Sequence, residues 1–268
     1  MIVYLIKKGR ILMAQSLLQV NDVSYAYHTK AGETPALSHI SLTVSKGEFL
    51  AIVGPSGCGK STFLDMLCGL LKPESGEILL NGNPLEFSGA KIGYMLQKDH
   101  LFEWRTIYSN VLLGLEIQKK KTPAAVQHAE ELLLSYGLDK FRDARPSQLS
   151  GGMRQRAALI RTLALDPQLL LLDEPFSALD YQTRLSVGDD IGKIIKKEKK
   201  TAILVTHDIS EAISMADRVL VFSKRPAKVQ KIIPIEFSMK NRTPMSSRSA
   251  PEFKNYFNEI WKELNHEA

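Results

Sequence analysis

The stretch GEFLAIVGPSGCGKST, residues 47–62, joins the pattern of a buried strand to that of a phosphate-binding loop. Its apolar run stops at Gly54, and the residues that follow fit the spacing G-x-x-x-x-G-K-[ST] at Gly54, Gly59, Lys60 and Ser61. Apolar residues at helical spacing come next. Strand, glycine-rich loop and helix in this order predict a loop that wraps the phosphates of a nucleoside triphosphate.

The residue types of this loop indicate how it would hold phosphate. Glycines let the backbone curl until successive N–H groups face the phosphate oxygens, and the helix N-terminus adds partial positive charge. Lys60 is expected to reach the β- and γ-phosphates, and Ser61 to offer a hydroxyl ligand to Mg²⁺. The nucleotide-binding candidates of the loop are Gly54, Pro55, Ser56, Gly57, Cys58, Gly59, Lys60, Ser61 and Thr62.

A second element, LLLLDEP at 169–175, is an apolar strand that ends in two carboxylates. The carboxyl edge of a parallel sheet is where folds of this class build their sites. Asp173 is placed to hold Mg²⁺ directly or through water. Glu174, one residue further on, is a candidate general base that polarises the attacking water.

A third element, LSGGMRQR at 149–156, opens another helix with Ser150, Gly151 and Gly152. A helix start with a serine cap is a second anion-binding element. Because residues 54–62 already enclose one triphosphate, this element is expected to serve the nucleotide of another copy of the chain. That reasoning predicts a head-to-tail homodimer with two ATP molecules at its seam.

With these motifs in this order, the chain resembles the ATP-binding cassette of ABC transporters over about residues 17–225. The resemblance identifies residues 54–62 as the Walker A loop and Ser150, Gly151 and Gly152 as the signature that contacts the γ-phosphate across the dimer. Asp173 and Glu174 match Walker B and the catalytic glutamate. Gln97 matches the glutamine that senses Mg²⁺ and the attacking water beside the membrane partner.

The resemblance implies three further assignments and a fold class. SALD at 177–180 matches the D-loop, and His207 matches the catalytic switch histidine. Tyr27 lies where the family stacks an aromatic ring on adenine, with Tyr25 as an alternative. The implied fold is α/β: a P-loop NTPase core with a mixed sheet, an N-terminal antiparallel β subdomain and an inserted α-helical subdomain.

The order of predicted elements agrees with this fold class. Strands alternate with helices, including a helix predicted over 60–71, and a helical block interrupts the alternation. Met13 could serve as an alternative start, so residues 1–16 are interpreted as an N-terminal extension. An ABC ATPase domain is expected at 17–240 with its helical insertion at about 98–165. A tail at 241–268 carries an amphipathic helix, in which Ser249 and Glu252 have capping-box spacing.

A finer resemblance is to importer cassettes of the nitrate, sulfonate and taurine group, although Phe102-Glu103-Trp104 replaces that group's Leu-Pro-Trp. It implies an ATPase that powers import of a small solute, with ATP and Mg²⁺ as cofactors. The implied partners are a second ATPase subunit, integral membrane permease subunits docking near Gln97 and 98–115, and an extracytoplasmic solute-binding protein. The implied location is peripheral, on the cytoplasmic side of the cell membrane.

Composition narrows the alternatives. The chain has 268 residues, net charge +6 and two cysteines without zinc-like spacing, which favours reduced thiols. No signature or aromatic stripe of nucleic-acid binding accompanies the positive charge, and no run of 18 apolar residues predicts a membrane span. A non-transport ABC ATPase, an exporter cassette and, less in keeping with LSGGMRQR, a P-loop kinase of small molecules remain alternatives.

Overall fold

The computed structural model describes residues 3–7, 10–14, 16–30, 32–87, 91–239 and 242–265. Parts of the predicted N-terminal extension lie outside this range. The predicted boundary at 240/241 between the ATPase domain and the tail also lies outside it. The strands, in chain order, are β1 (Val3–Lys7), β2 (Arg10–Ala14), β3 (Ser16–Thr29), β4 (Gly32–Ser45), β5 (Phe49–Val53), β6 (Ser75–Leu80), β7 (Asn83–Pro84), β8 (Ile92–Met95), β9 (Leu169–Asp173), β10 (Thr201–Val205), β11 (Arg218–Phe222) and β12 (Val229–Pro234).

The helices surround these strands. In chain order they are α1 (Lys60–Leu67), α2 (Ile107–Ile117), α3 (Pro123–Ser135), α4 (Gly151–Leu163), α5 (Tyr181–Lys197), α6 (Ile209–Met215), α7 (Pro244–Ser247) and α8 (Pro251–Asn265). Short 3₁₀ turns lie at Leu85–Phe87, Asp139–Phe141 and Pro146–Gln148. Among the described residues, no helix combines the length and apolar character needed to cross a bilayer.

A six-stranded sheet in the order β12-β11-β5-β10-β9-β8 forms the centre of the molecule. Its pairs are parallel except for β12, which runs antiparallel to β11, so the predicted mixed sheet is confirmed. Every residue of β5 is buried, and alternate residues belong to two separate apolar clusters. Both faces of the sheet are therefore covered, which explains the uninterrupted apolar run at residues 49–53.

The two clusters place different elements on the two faces. One contains residues of α1 and of the antiparallel sheet β4-β3-β6-β7, and the other contains residues of α2 to α6 and α8. The hairpin between β6 and β7 turns at Asn81 and Gly82, with φ of 53° and 78°. Positive φ at both residues is the two-residue turn that an Asn-Gly pair predicts.

Helix α1 ends at Leu67, four residues before the predicted end at Leu71. Gly69 takes a φ of 81°, and its N–H donates to the Met66 carbonyl at 3.1 Å, which closes the helix with a left-handed turn. This turn directs Leu70 away from the core, so Leu70 is 72% exposed although it falls within the predicted helix.

Between residues 98 and 165 the chain forms α2, α3 and α4, each with a hydroxyl side chain as N-cap. The Thr106, Thr122 and Ser150 hydroxyls accept from the backbone N–H three residues further on. Each bond satisfies one of the amide donors that a helix start leaves without an intrahelical partner. Helix α4 begins at Gly151, which places the predicted signature at a helix N-terminus.

The C-terminal helix α8 packs one face on the core. Ile260 is fully buried, whereas its neighbour Trp261 is 57% exposed. The predicted capping box of Ser249 and Glu252 is wrong. The Glu252 carboxylate instead accepts from the Ser238 N–H at 3.0 Å, because the segment after β12 passes beside the helix start.

Candidate nucleotide-binding site

A cavity of about 340 Å³ opens where the phosphate-binding loop meets the carboxyl end of β9 and the segment that follows β8. Strands β5, β9 and β10 are parallel, so the segments that follow them emerge at one edge of the sheet. The residues that line the cavity are Tyr27, Ala36, Ser56, Gly57, Gly59, Lys60, Ser61, Thr62, Gln97, Asp173, Glu174 and Arg225. Except for Ala36 and Arg225, all are residues that the sequence analysis selects.

The backbone of the loop depends on glycine. Gly59 has a φ of 127°, and a Cβ there would lie 2.8 Å from the Ala36 carbonyl oxygen. The Lys60 ammonium folds back over the loop and donates to the Gly54 and Pro55 carbonyls at 2.8 and 2.9 Å. The loop is thus curled around its own lysine, with the ammonium held beside the glycine-rich backbone.

The Thr62 hydroxyl of the loop contacts the predicted adenine-stacking residue. The Tyr27 hydroxyl lies 3.0 Å from Thr62 Oγ1, and the Tyr27 side chain lines the cavity. Tyr25 packs edge-on against the Tyr27 ring at 5.1 Å and is in contact with the buried core. The geometry therefore favours Tyr27 over Tyr25 as the aromatic residue that faces a ligand.

Ser61 lies beside the first Walker B carboxylate. Its hydroxyl donates to Asp173 Oδ1 at 3.4 Å. Burial raises the pKa of Asp173, and the nearby Glu174 carboxylate adds to this effect. A hydroxyl and a carboxylate form an oxygen-only donor pair that fits Mg²⁺, and the high cost of burying the carboxylate's charge would be offset by a cation.

No group of three or more His, Cys, Asp or Glu side chains suited to a metal occurs in the part of the chain that the structure describes. A small cation between Ser61 and Asp173 would therefore depend on ligand phosphates and water for the rest of its coordination. This is the usual situation for Mg²⁺ in nucleotide sites.

Glu174 lines the cavity, and His207, which is not among the lining residues, contacts its carboxylate. Nδ1 of His207 lies 3.0 Å from Glu174 Oε2. Glu174 has a φ of 43°, a strained conformation for a residue with a Cβ, and its N–H donates to the Val205 carbonyl at 2.9 Å. The carboxylate is thereby aimed at the cavity from a fixed backbone.

Gln97 reaches the same region through a serine of the predicted D-loop. Its amide Nε2 donates to Ser177 Oγ at 3.1 Å, and that hydroxyl donates to the Glu174 carbonyl at 3.0 Å. The segment after β8 and the segment after β9 are therefore joined directly beneath the cavity.

Ser150, Gly151 and Gly152 are not among the cavity-lining residues. Ser150 Oγ accepts from the Met153 N–H at 3.3 Å and is exposed. Gly152 is buried, and a Cβ there would lie 2.6 Å from Val187 Cγ2 on α5. The structure thus brings Walker A, Gln97, Walker B and His207 together within one chain, and leaves the signature outside.

Two residues of this region are missed by the sequence analysis. Arg225 lines the cavity, and the Tyr94 hydroxyl lies 3.5 Å from Asp173 Oδ2. Neither residue belongs to a motif with fixed spacing, and each reaches the site only through tertiary packing. No signal in a single sequence would have selected them.

The loop, the two carboxylates and the histidine define the class as a P-loop nucleoside triphosphatase. The family described as ABC transporter matches residues 37–177. The chain belongs to the ATP-binding proteins of ABC transporters, and it is an ATP-binding ATPase subunit of that family.

Relatives and solved structures agree with this family. An uncharacterized ABC transporter ATP-binding protein of Bacillus subtilis is 46% identical over 93% of this chain and 96% of its own length. A taurine import ATP-binding protein of Pelagibacter ubique is 41% identical over 81% of this chain and 82% of its own length. A dimeric ATP-binding cassette in a post-hydrolysis state with ADP and Pi is 30% identical, with a TM-score of 0.70 over 82% of this chain and 99% of that structure.

Proposed function

We propose that this chain hydrolyses ATP to power the import of a small solute through a partner membrane permease. The observation that carries the hydrolytic part is the contact between Glu174 and His207, 3.0 Å apart at the wall of the cavity that holds the phosphate-binding loop. A base for water beside a triphosphate site is what hydrolysis requires. The import direction is supported by the relative named for taurine import.

ATP would lie with its phosphates in the curl of residues 54–62 and its adenine against Tyr27. Lys60 would exchange its two loop carbonyls for phosphate oxygens. Ser61 and Asp173, with Gln97 nearby, would hold Mg²⁺, which neutralises charge on the phosphate oxygens when it is bound.

Glu174 would accept the proton of a water molecule placed for in-line attack on the γ-phosphate. His207, in contact with the same carboxylate, would fix the position of Glu174 and of that water. Gln97 is hydrogen-bonded through Ser177 to the Glu174 backbone. A movement of Gln97 beside the permease would therefore shift the catalytic carboxylate. These residues supply positioning and electrostatics, which is most of what phosphoryl transfer needs.

The signature completes the site from a second copy of the chain. Because Ser150, Gly151 and Gly152 lie outside the cavity of their own chain, their free helix N-terminus can meet the γ-phosphate bound by a partner. Two ATP molecules would then be enclosed in a homodimer. Loss of the γ-phosphate contacts after hydrolysis provides the difference in affinity that reopens the dimer.

The proposed docking surface for the permease lies between the sheet and the helical block. Phe102 and Trp104 are in ring contact, and Trp104 is 72% exposed. A cavity of about 700 Å³ lies between the end of α1 and the end of α2, and its lining includes the apolar residues Leu71, Ile92 and Leu165. Exposed apolar groups around a groove suit a helical segment of a membrane subunit.

The segment that carries these aromatic residues is fastened to the signature helix. Arg154 of α4 donates to the Asp99 carboxylate at 3.1 Å, and Arg161 donates to the Asp99 and His100 carbonyls at 2.6 Å. Movement of a docked permease segment would therefore move α4. These hydrogen bonds would couple movement of the permease to the position of the signature at the nucleotide.

Glu103 takes part in the same linkage. Its Oε2 accepts from the Ser147 N–H at 3.1 Å, in the turn just before the signature. The glutamate that replaces the importer group's proline thus adds a bond between the docking segment and the approach to α4. It leaves Trp104 exposed for the partner.

The proposed solute class is a small sulfonate, nitrate or similar compound. It is supported by the taurine relative and by the finer sequence resemblance. Delivery of such a solute would require an extracytoplasmic binding protein, and the cassette itself would sit on the cytoplasmic side of the membrane, where its permease presents the docking segments.

A single substitution tests the hydrolytic assignment. Glu174→Gln removes the base but keeps the size of the side chain, so ATP binding should persist while phosphate release falls by about 10²–10⁴-fold. The readout is phosphate release by the purified protein without any acceptor, alongside binding of a fluorescent ATP analogue. Glu131→Gln, an exposed site on α3, is the control; wild-type rates in Glu174→Gln would remove this residue as the base.

A further inference from the structure

The wall of the nucleotide cavity contains a cation that lies outside every recognised motif. Arg225 follows β11, 165 residues after Lys60 in the numbering, and lines the same cavity. Lys60 and the loop amides account for the phosphates, so the phosphates do not explain why a second cation lies here. Arg225 is exposed, so its side chain can contact a ligand without any other part of the protein moving away.

The guanidinium is held next to the proposed adenine-stacking residue. Its Nε donates to the Pro35 carbonyl at 2.9 Å, and Nη2 lies 3.5 Å from the Thr34 carbonyl. In the β3–β4 register Thr34 is the partner of Tyr27. Arg225 and Tyr27 therefore both lie beside Thr34 of β4.

The backbone around Arg225 is also fixed. Ala227 donates its N–H to the Ala36 carbonyl at 2.9 Å, and its own carbonyl accepts from the Ser38 N–H at 2.9 Å. These bonds fasten the loop after β11 to β4. An arginine on such a support keeps its orientation, and with five N–H donors it has donors left for a ligand after binding two carbonyls.

We propose that Arg225 binds the nucleoside part of ATP, donating to acceptor atoms of the sugar or the base. The inference rests on the proposed placement of ATP, with phosphates on residues 54–62 and adenine on Tyr27. In that placement the carbonyls that hold Arg225 lie on β4, which pairs with the strand of Tyr27, and therefore beside the nucleoside. Arg225 thereby selects a nucleotide over a bare polyphosphate.

Calorimetric titration of wild-type and Arg225→Ala protein with ATP and with inorganic tripolyphosphate tests the proposal. Loss of one charge-assisted hydrogen bond should weaken ATP binding by about tenfold and leave tripolyphosphate binding unchanged. Lys228→Ala removes an exposed cation of the same loop and should change neither. Comparison of ATP with 2′,3′-dideoxy-ATP then separates the sugar from the base as the acceptor.

Two results would overturn the assignment. Equal losses for ATP and tripolyphosphate would place Arg225 on the phosphates or in a purely structural role, and unchanged ATP affinity would remove it from the site. If Arg225→Ala does not fold, Arg225→Lys keeps the charge but lacks the planar guanidinium. The affinities of this variant for ATP and tripolyphosphate are then compared in the same way. Failure of the proposed function would give a different result, because the wild-type protein itself would then bind ATP without releasing phosphate.

Discussion

Tyr94 places one phenolic proton between two carboxylates. Its oxygen lies 3.2 Å from Asp65 Oδ1 on α1 and 3.5 Å from Asp173 Oδ2 at the end of β9. Burial, followed by the charges of Asp173 and Asp65, raises the pKa of Tyr94, so the phenol stays protonated and acts as a donor. It therefore fixes the orientation of the carboxylate that the proposed Mg²⁺ site uses.

Tyr94→Phe should raise the Mg²⁺ concentration needed for half-maximal binding of ATP by about tenfold, since a residue that orients a metal ligand typically contributes this much. Binding of ATP without Mg²⁺ should be unchanged. A fluorescent nucleotide titrated at graded Mg²⁺ measures both quantities.

Tyr136→Phe is a matched control for this prediction. That phenol donates to the Glu198 carboxylate at 2.6 Å, and burial and the glutamate raise its pKa in the same way, but it is not part of the cavity. An equal change of Mg²⁺ dependence in both variants would contradict a specific role for Tyr94.

An ion pair joins the end of helix α2 to Arg105, which precedes the helix. Both Nη atoms of Arg105 donate to Glu116 Oε2 at 2.9 Å, and the pair is about one-third exposed. The hydrogen bonds from Arg105 lower the pKa of Glu116, against an opposing contribution from burial. Because the pKa is lower in the folded protein than in the unfolded chain, the pair stabilises the fold once pH exceeds the unfolded value of about 4.3.

Glu116→Gln should lower the free energy of unfolding by roughly 1 kcal/mol at pH 7, the upper range for a partly exposed pair. The difference from wild type should shrink as pH falls below about 4.3 and through the lowered folded pKa, because the wild-type carboxylate then becomes protonated. Urea unfolding at pH 7, 5 and 3.5 measures it. A difference that stayed constant over this range would show that the charge of Glu116 contributes nothing.

At the scale of elements, local patterns were sufficient where a residue's environment is set by its neighbours in sequence. The apolar run of β5 predicts a buried strand, and the Asn81-Gly82 pair predicts its turn. The predictions for the end of α1 and for the capping box at α8 are wrong for different reasons. Gly69 adopts a left-handed conformation that apolar spacing ignores, and Glu252 finds a partner, Ser238, that is distant in sequence.

The same distinction applies to the site. Lys60, Glu174 and Ser150 belong to motifs whose spacing carries chemical meaning, so the sequence could select them. Tyr94 and Arg225 act through contacts with Asp173 and Pro35 that only the folded sheet creates. Tertiary packing therefore supplies the part of the site that single-sequence reasoning lacks.

At the scale of the whole molecule, the proposed site requires two chains. Ser150→Arg would place a long cation at the signature while leaving the cavity of its own chain intact. In a Glu174→Gln background, where slow hydrolysis lets the ATP-bound state accumulate, Ser150→Arg should abolish ATP-dependent dimerisation without weakening ATP binding. Light scattering after size-exclusion chromatography, with and without MgATP, makes the measurement.

Ser249→Arg adds the same side chain at an exposed position before α8 and should leave dimerisation intact. A normal ATP-dependent dimer in Ser150→Arg would refute the contact between signature and partner nucleotide. Loss of dimers in both variants would instead indicate a general effect of added charge.

The separation of the signature from its own cavity has a kinetic consequence. Under the proposed scheme a freely diffusing chain must meet a second copy before it can hydrolyse ATP, so the total hydrolysis rate in dilute solution grows with the square of protein concentration. Two chains seated on one permease no longer search for each other, because the shared scaffold sets their effective concentration. Chains away from the membrane would then hydrolyse little ATP, and hydrolysis would be confined to chains bound to a permease.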